Sequence, residues 1–423
     1  MIQIKDKSLC SGCTACAGIC PKSCITMIQD NEGFSYPTVD NTKCVECGLC
    51  ERTCPIQKKL PVQRPLHVYA AVNKDTFIRK QSSSGGVFSA IAESVIKHNG
   101  VVFGAVFSKG WKVVHTYVET IEDLSKIRGS KYVQSSIGES YKQCESFLKD
   151  GREVVFSGTP CQIAGLHSFL RKDYENLIMV DVICHGVPSP GVWENYLKLI
   201  CPKGIDGENS VLSLKEQSGI AGISFRDKRA GWRKYGFSAY RGATKGSDEN
   251  TVFPPKRPNT FLYEIQQENL FLRGFLQNLY LRPSCHNCQF RNFKSGSDLT
   301  LADFWGVERV FSGIDDDKGT SLVIIKTPKA QNIIREANVV LKEVQSSDYN
   351  MAFSGNSSMF TDDTPNVNRD LFFKEWRLAP NELLSHITKY TCYNLRRKHQ
   401  FDHFLMTLGI YDFIKYMVKI VRR

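Results

Sequence analysis

Two stretches of this chain constrain it more than any others. "CSGCTACAGICP" places Cys10, Cys13, Cys16 and Cys20 ahead of Pro21, and "CVECGLCERTCP" repeats the arrangement with Cys44, Cys47, Cys50 and Cys54 ahead of Pro55. Cys-x2-Cys-x2-Cys-x3-Cys-Pro, used twice, is the spacing of a bacterial two-cluster ferredoxin. Three closely spaced thiolates wrap one face of a cubane, and the fourth, out of reach of that cubane, ligates the other one. Cys10, Cys13, Cys16 and Cys54 are therefore predicted to hold one [4Fe–4S] cluster, and Cys44, Cys47, Cys50 and Cys20 the second. Gly12, Ala15, Ala17, Gly18 and Gly48 are small enough to bring backbone N–H groups close to the sulfurs. Structural zinc uses paired Cys-x2-Cys units, not a triplet followed by Cys-Pro. Cys24 is left over and reads as a small buried side chain. Residues 1–60 are expected to form an α+β ferredoxin-like domain whose business is electron transfer.

Sixteen cysteines would suit a disulfide scaffold only in a short secreted chain, and this one has 423 residues and starts "MIQIKDKSLC", with no apolar signal core. Reduced thiols and a cytoplasmic location are expected. No run of 18 apolar residues is present, so no membrane-spanning helix is predicted. The formal net charge of +12 fits anionic clusters as well as it fits nucleic acid. No helix-turn-helix, zinc-finger or RNA-binding signature accompanies it, and no nucleic-acid partner is predicted.

After a stiff "LPVQRP" linker the pattern changes to strand–helix alternation. "LHVYAAV", "VVFGAVF", "WKVVHTYV", "REVVFSG" and "NLIMVDVIC" read as strands. "SSSGGVFSAIAESVIKHNG", "SIGESYKQCESFLKDG", "CQIAGLHSFL" and "GVWENYLKLI" read as helices. Such alternation predicts an α/β sheet covered by helices. Residues 203–260 are polar and Gly-rich and carry no clear periodicity. "FLYEIQQENLFLRGFLQNLY" reads as one helix, and "SLVIIKT" with "AQNIIREANVVLKEV" as a strand–helix unit.

Two of these strands lead to a cysteine at or just past their ends. In "FSGTPCQIAG" Thr159 suits an N-cap and Pro160 the first helical position, so Cys161 falls in the first turn, where the helix dipole favours a thiolate. "VDVICHGVPSP" puts Cys184 at another strand end. Ligands of open α/β sheets bind outside the carboxyl ends of the strands, and "CHNC" supplies Cys285 and Cys288. These four thiols are read as a third [4Fe–4S] site, although two buried free thiols and a separate redox pair would share the pattern. "SSSGG", Ser82 to Gly86, is either a phosphate cradle at a helix start or an ordinary capped turn.

Seven motifs in order, "SSSGGVFSAIA", "GSKYVQSSIG", "FSGTPCQIAGL", "VDVICHGVPSP", "FRDKRAGW", "CHNCQF" and "SDLTLADFWG", resemble the family of coenzyme F420 hydrogenase/dehydrogenase beta subunits. The resemblance implies an α/β flavin-binding domain over 66–345; residues 346–423, which it does not cover, are expected to form a helical region. It implies FAD near Ser84, Gly85, Gly86, Lys131, Tyr132, Thr159 and Pro160, and Cys161, Cys184, Cys285 and Cys288 as ligands of an inner cluster. Asp303 and Trp305 then line or brace the same site, and His185 is the nearest acid to it, His185 and Asp303 being the catalytic candidates. The activity implied is an FAD- and [4Fe–4S]-dependent oxidoreductase that exchanges electrons with ferredoxin or coenzyme F420. An electron-input subunit of a larger complex is the alternative, and a binding or assembly protein with structural clusters is a third. The tail "GIYDFIKYMVKIVRR" has the spacing of a basic amphipathic helix. It suits either peripheral association with the inner face of the cell membrane or packing, on its own domain or in a homo-oligomer.

Overall fold

The computed structural model describes residues 1–58, 60–201, 219–241 and 259–391. The amphipathic tail from 401 onward, and most of the 203–260 stretch, lie outside the described residues.

The N-terminal segment carries two short helices, Ala15–Gly18 and Leu49–Arg52, each beginning inside a cysteine run, and an antiparallel pair, β1 (Ile25–Gln29) and β2 (Ser35–Val39). Its own core is small: Ile2, Cys24, Ile25 and Cys50. Its remaining buried apolar residues pack against the rest of the molecule. Phe34 and Tyr36 join a cluster with Trp193, Phe225 and Tyr280, and Ala15 joins one with Tyr141, Ile163 and Leu166. The "LPVQRP" segment is irregular, as a linker should be, yet it is tied down: the Gln63 N–H donates to Phe293 O at 3.1 Å and the Leu66 N–H to Ile325 O at 2.8 Å.

The later strands are β3 (His67–Asn73), β4 (Val101–Phe107), β5 (Val113–Val118), β6 (Val154–Gly158), β7 (Leu177–Val182), β8 (Ile220–Asp227), β9 (Gly236–Arg241), β10 (Asn259–Ile265), β11 (Leu299–Asp303), β12 (Ser321–Ile325) and β13 (Val339–Glu343). Eight form one sheet, in the order β13-β3-β12-β11-β7-β6-β4-β5. Its centre, β11-β7-β6-β4, is parallel, and the flanking pairs are antiparallel. The central strands read as continuous apolar runs because both faces are covered. Val154, Val155 and Phe156 are fully buried, as is Val180. β8, β9 and β10 make a separate antiparallel sheet.

The alternation therefore predicts the parallel centre, and the fold is mixed rather than simply α/β. Two segments differ from the sequence reading. "FLYEIQQENLFLRGFLQNLY" is β10 followed by a helix at Leu270–Leu276, not one helix. Aromatic and β-branched residues pair with β9, and the Asn269 side chain caps the helix by accepting from the Leu272 N–H at 2.9 Å. "AQNIIREANVVLKEV" is helical only to Glu336; Val339 and Val340 then open β13 on the sheet edge against β3. Within 203–260, β8 and β9 are strands that the polar composition hid.

Candidate functional site

The carboxyl ends of β3, β4, β6, β7 and β11 all point to one edge of the large sheet, where such folds bind ligands. Segments after four of them bring the predicted residues there: Ser82–Gly86 after β3, Thr159–Cys161 after β6, Cys184 and His185 after β7, and Trp305 after β11. At the start of the 160–170 helix, the Thr159 N–H donates to Gln162 Oε1 at 3.0 Å and Pro160 takes the first position, so the Cys161 backbone is fixed.

Cys161, Cys184, Cys285 and Cys288 line one cavity of about 60 Å³. Ser11 and Ile56, from the ferredoxin-like segment, line it too. Burial pushes the Cys161 thiol up to about 11 and Cys285 to about 12, and raises Cys184 and Cys288 as well. The helix dipole expected to favour a Cys161 thiolate is thus outweighed by desolvation. Four thiolates buried together would need compensating positive charge, which bound iron would supply. The Val187 N–H reaches Cys285 Sγ at 3.4 Å, the kind of N–H···S contact that tunes a cluster.

A second cavity, of about 470 Å³, shares a wall with the first. Cys161, Cys184, His185, Gly186 and Val187 line both. Ser84, Gly86, Lys131, Tyr132, Thr159, Asp303 and Trp305 line the larger one. Two of the residues expected there do not. Pro160 faces the four-cysteine cavity. Gly85 turns toward the sheet, its N–H donating to Ser321 Oγ at 3.0 Å. The serine hydroxyls of the loop point inward as braces: Ser84 Oγ donates to Thr320 O, and Ser83 Oγ accepts from the Ser130 N–H. Lys131 Nζ donates to the carbonyls of Lys126, Ile127 and Arg128, and burial lowers it to about 7.

At one end of this cavity Asp303 is fully engaged. Its carboxylate accepts from both terminal nitrogens of Arg226 at 2.9 and 3.1 Å, and from the Trp232 indole at 2.9 Å. Arg226 lies over the Tyr235 ring at 3.9 Å, and Trp232 stacks on Trp305 at 4.3 Å. At the other end His185 Nδ1 lies 3.4 Å from the Asp363 carboxylate, and its Nε2 is buried with no partner among the described residues. Burial opposes ionisation of Asp363, but bonds from His185 and Arg291 prevail and hold it down to about 2.

In the N-terminal segment, Cys20, Cys44, Cys47 and Cys50 line a third cavity, with Cys24 beside them; Cys24 Sγ is 3.3 Å from Cys20 Sγ. Cys24 is buried, and it is not remote from the set. Cys54 lies within electrostatic reach of Cys13 and Cys16, in the other group. Cys13 packs on the 160–170 helix: a Cβ built on Gly165 would stand 2.9 Å from Cys13 Cβ and 3.2 Å from its Sγ. Only a residue without a side chain allows that approach.

Residues 68–141 and 151–347 match the models of the N-terminal and C-terminal parts of the coenzyme F420 hydrogenase/dehydrogenase beta subunit. The chain belongs to that family. Residues 9–58 match a 4Fe-4S dicluster domain. The coenzyme F420-dependent sulfite reductase of Methanocaldococcus jannaschii is 27% identical over 169 residues, 39% of this chain and 26% of the relative. A subunit of the F(420)H(2) dehydrogenase of Methanosarcina mazei is 24% identical over 190 residues, 42% of this chain and 53% of the relative. The chain thus spans about a quarter and about half of these relatives. A chain from the F420-reducing [NiFe] hydrogenase complex of Methanosarcina barkeri aligns with a TM-score of 0.43 at 16% identity, over 76% of this chain and 95% of that one.

For this member of the family, sequence reading missed Arg226, His115, Asp363 and Arg282. Arg226 lies in the "FRDKRAGW" motif but sits 77 residues from its partner Asp303. His115 is an alternate residue of β5 and buried, with Ser135 Oγ at 2.9 Å from Nδ1 and Nε2 at 2.9 Å from Ser157 O. Asp363 stands in a polar loop that no motif marks. Among the described residues no helix is long and apolar enough to cross a membrane.

Proposed function

We propose that the protein is an iron–sulfur flavoprotein oxidoreductase that passes electrons between ferredoxin or reduced coenzyme F420 and an organic substrate or acceptor at FAD. The observation that supports this is the shared wall. The four-cysteine cavity touches the ferredoxin-like segment through Ser11 and Ile56, and touches the large cavity through Cys161, Cys184 and His185. The proposed cluster ligands are Cys10, Cys13, Cys16 and Cys54; Cys44, Cys47, Cys50 and Cys20; and, for the inner cluster, Cys161, Cys184, Cys285 and Cys288.

The large cavity fits a dinucleotide. Its volume lies in the range of cofactor sites. One end is the start of the 87–97 helix, whose first-turn N–H groups and dipole suit a phosphate. The Arg226 Nε is buried there with no partner among the described residues. FAD bound in this cavity supplies the exchange between one-electron carriers and two-electron chemistry. Ser84, Gly86, Thr159, Tyr132 and Lys131 would border it. Asp303 fixes the Arg226 guanidinium against it. His185, oriented by Asp363, presents Nε2 where the two cavities meet.

A second reading is an electron-input subunit without its own substrate site. The Methanosarcina mazei relative favours it, being named as a subunit. Mixing the anaerobic protein separately with reduced deazaflavin and with reduced ferredoxin tests the main reading. Bleaching of the flavin band by one of them is expected, and the faster donor is the natural one. Failure of both to reduce a bound flavin, or absence of flavin from the purified protein, would refute it.

A further inference from the structure

Arg282 is fully buried, and among the described residues no carboxylate pairs with it. That sets it apart from three other buried arginines: Arg226 has Asp303, Arg291 has Asp363 and Arg369 has Glu32. Its guanidinium is spread over neutral groups on both sides of the domain junction. Nε donates to Cys10 O at 2.8 Å and Nη2 to Ser35 O at 3.0 Å, both in the ferredoxin-like segment. Nη1 donates to Gln134 Oε1 at 2.9 Å, and the plane lies 4.3 Å from the Tyr36 ring centre. Gly12, at φ +69°, is laid against it so closely that a Cβ would stand 2.8 Å from Nη1.

Such a charge is costly to bury unless an anion compensates it. Two anions are available, because a cubane held by four thiolates carries net negative charge. Nη2 lies 3.8 Å from Cys10 Sγ. On the other side, the Cys285 N–H donates to Arg282 O at 2.9 Å, which puts a proposed inner-cluster ligand one short turn away. The positive charge of Arg282 is felt at Cys161 and Cys285 alike, lowering both against the larger effect of burial.

We propose that Arg282 is the shared counter-ion of the cluster on Cys10, Cys13, Cys16 and Cys54 and of the inner cluster on Cys161, Cys184, Cys285 and Cys288. This rests on the proposed cluster assignments. One-electron reduction adds one negative charge to a cluster, so a fixed guanidinium between two of them favours the reduced form of each. When an electron passes, the first cluster is oxidised, the second is reduced, and no proton is needed, because the same cation faces both. Arg282 is a positioning residue: it holds the two redox sites in register through Cys10 O and Ser35 O, and it sets their potentials.

The test is an EPR-monitored redox titration of the full-length, cluster-loaded protein, with Arg282→Met, Arg282→Lys and Gln134→Glu. Arg282→Met should make reduction of both clusters at least tenfold less favourable, about 59 mV for one electron. The cluster on Cys44, Cys47 and Cys50 should not move. Arg282→Lys should keep most of both potentials. Gln134→Glu places a carboxylate on the same guanidinium without removing it. It should lower both potentials together, and it carries the test if Arg282→Met does not fold. Iron analysis of the wild type separates the counter-ion role from the assignments beneath it. Fewer than three cubanes would overturn the cluster assignments, and this inference with them. Three cubanes with an unmoved inner-cluster potential in the charge-changing variants would overturn the counter-ion role alone.

Discussion

Asp303→Asn asks whether the carboxylate at the end of the large cavity carries protons or holds a cation in place. The Arg226 side chain is 5% exposed and that of Asp303 17%, so water screens the pair little. Removing one charge from a buried pair costs about 3–5 kcal/mol, because the other is left uncompensated. Two features reduce this. Asparagine keeps one oxygen as acceptor, and the Tyr235 ring face, 3.9 Å from the guanidinium, contributes about 1–2 kcal/mol to holding a desolvated cation. A net loss of about 2–4 kcal/mol is expected. Arg226→Met strands the carboxylate and should cost a similar amount. The double variant removes both charges, so it should cost less than the sum of the two, with a coupling of about 2 kcal/mol. Urea unfolding of the loaded protein under argon, read as midpoint shifts at a common slope, measures all three. Effects that add within about 0.5 kcal/mol would refute the pairing argument. An Asp303→Asn protein of unchanged stability but lost turnover would make Asp303 a proton carrier instead.

Two further outcomes follow from the placements of Cys24 and His115. Cys20→Ser should destroy the cluster on Cys44, Cys47 and Cys50 and spare the one on its own run, while Cys24→Ser spares both. EPR and iron analysis decide, and loss in Cys24→Ser with retention in Cys20→Ser would make Cys24 the ligand. Burial lowers His115 to about 4 from an ordinary value near 6.5, so between those pH values the unfolded chain binds more protons than the folded one. Stability should be intact above about pH 6.5 and fall by about 3 kcal/mol as pH drops to about 4. In His115→Asn that slope should be reduced, and an identical pH profile would show that His115 does not titrate in this window.

Some of this was legible from residues alone, for identifiable reasons. The cysteine runs fix their own spacing, so the dicluster segment could be read directly. The parallel centre announces itself because strands buried on both faces read as unbroken apolar runs, such as "REVVFSG" and "NLIMVDVIC". Strand ends carrying Cys161 and Cys184 could be placed at one edge by topology alone. What escaped were partnerships made across the fold. Asp303 meets Arg226 on a different sheet, His185 meets Asp363 from the helical region, and Arg282 meets Cys10 272 residues earlier. No periodicity encodes such pairs. The edge strand β13 was misread for another reason: "ANVVLKEV" satisfies helical spacing locally, and only the free edge of β3 makes it a strand. No motif marks the role of Gly165, and its purpose appears only with Cys13 against it.

On the proposed cluster set, the same contacts explain why one cubane in the N-terminal segment would not suffice. The group that includes Cys13 is pressed on the 160–170 helix at Gly165, and Cys161 lies one turn earlier in that helix, an advance of about 6 Å. This is close to the inner site, with Cys10 and Cys13 half-buried against Arg282 and the helix. Cys47, by contrast, is exposed, and its cavity is lined by N-terminal residues alone. On that assignment the second cysteine run would extend the redox path to the surface, and an exchange of Cys20 and Cys54 between the runs would tie the outer site to the inner one. The large cavity would receive electrons through its wall against the four-cysteine site.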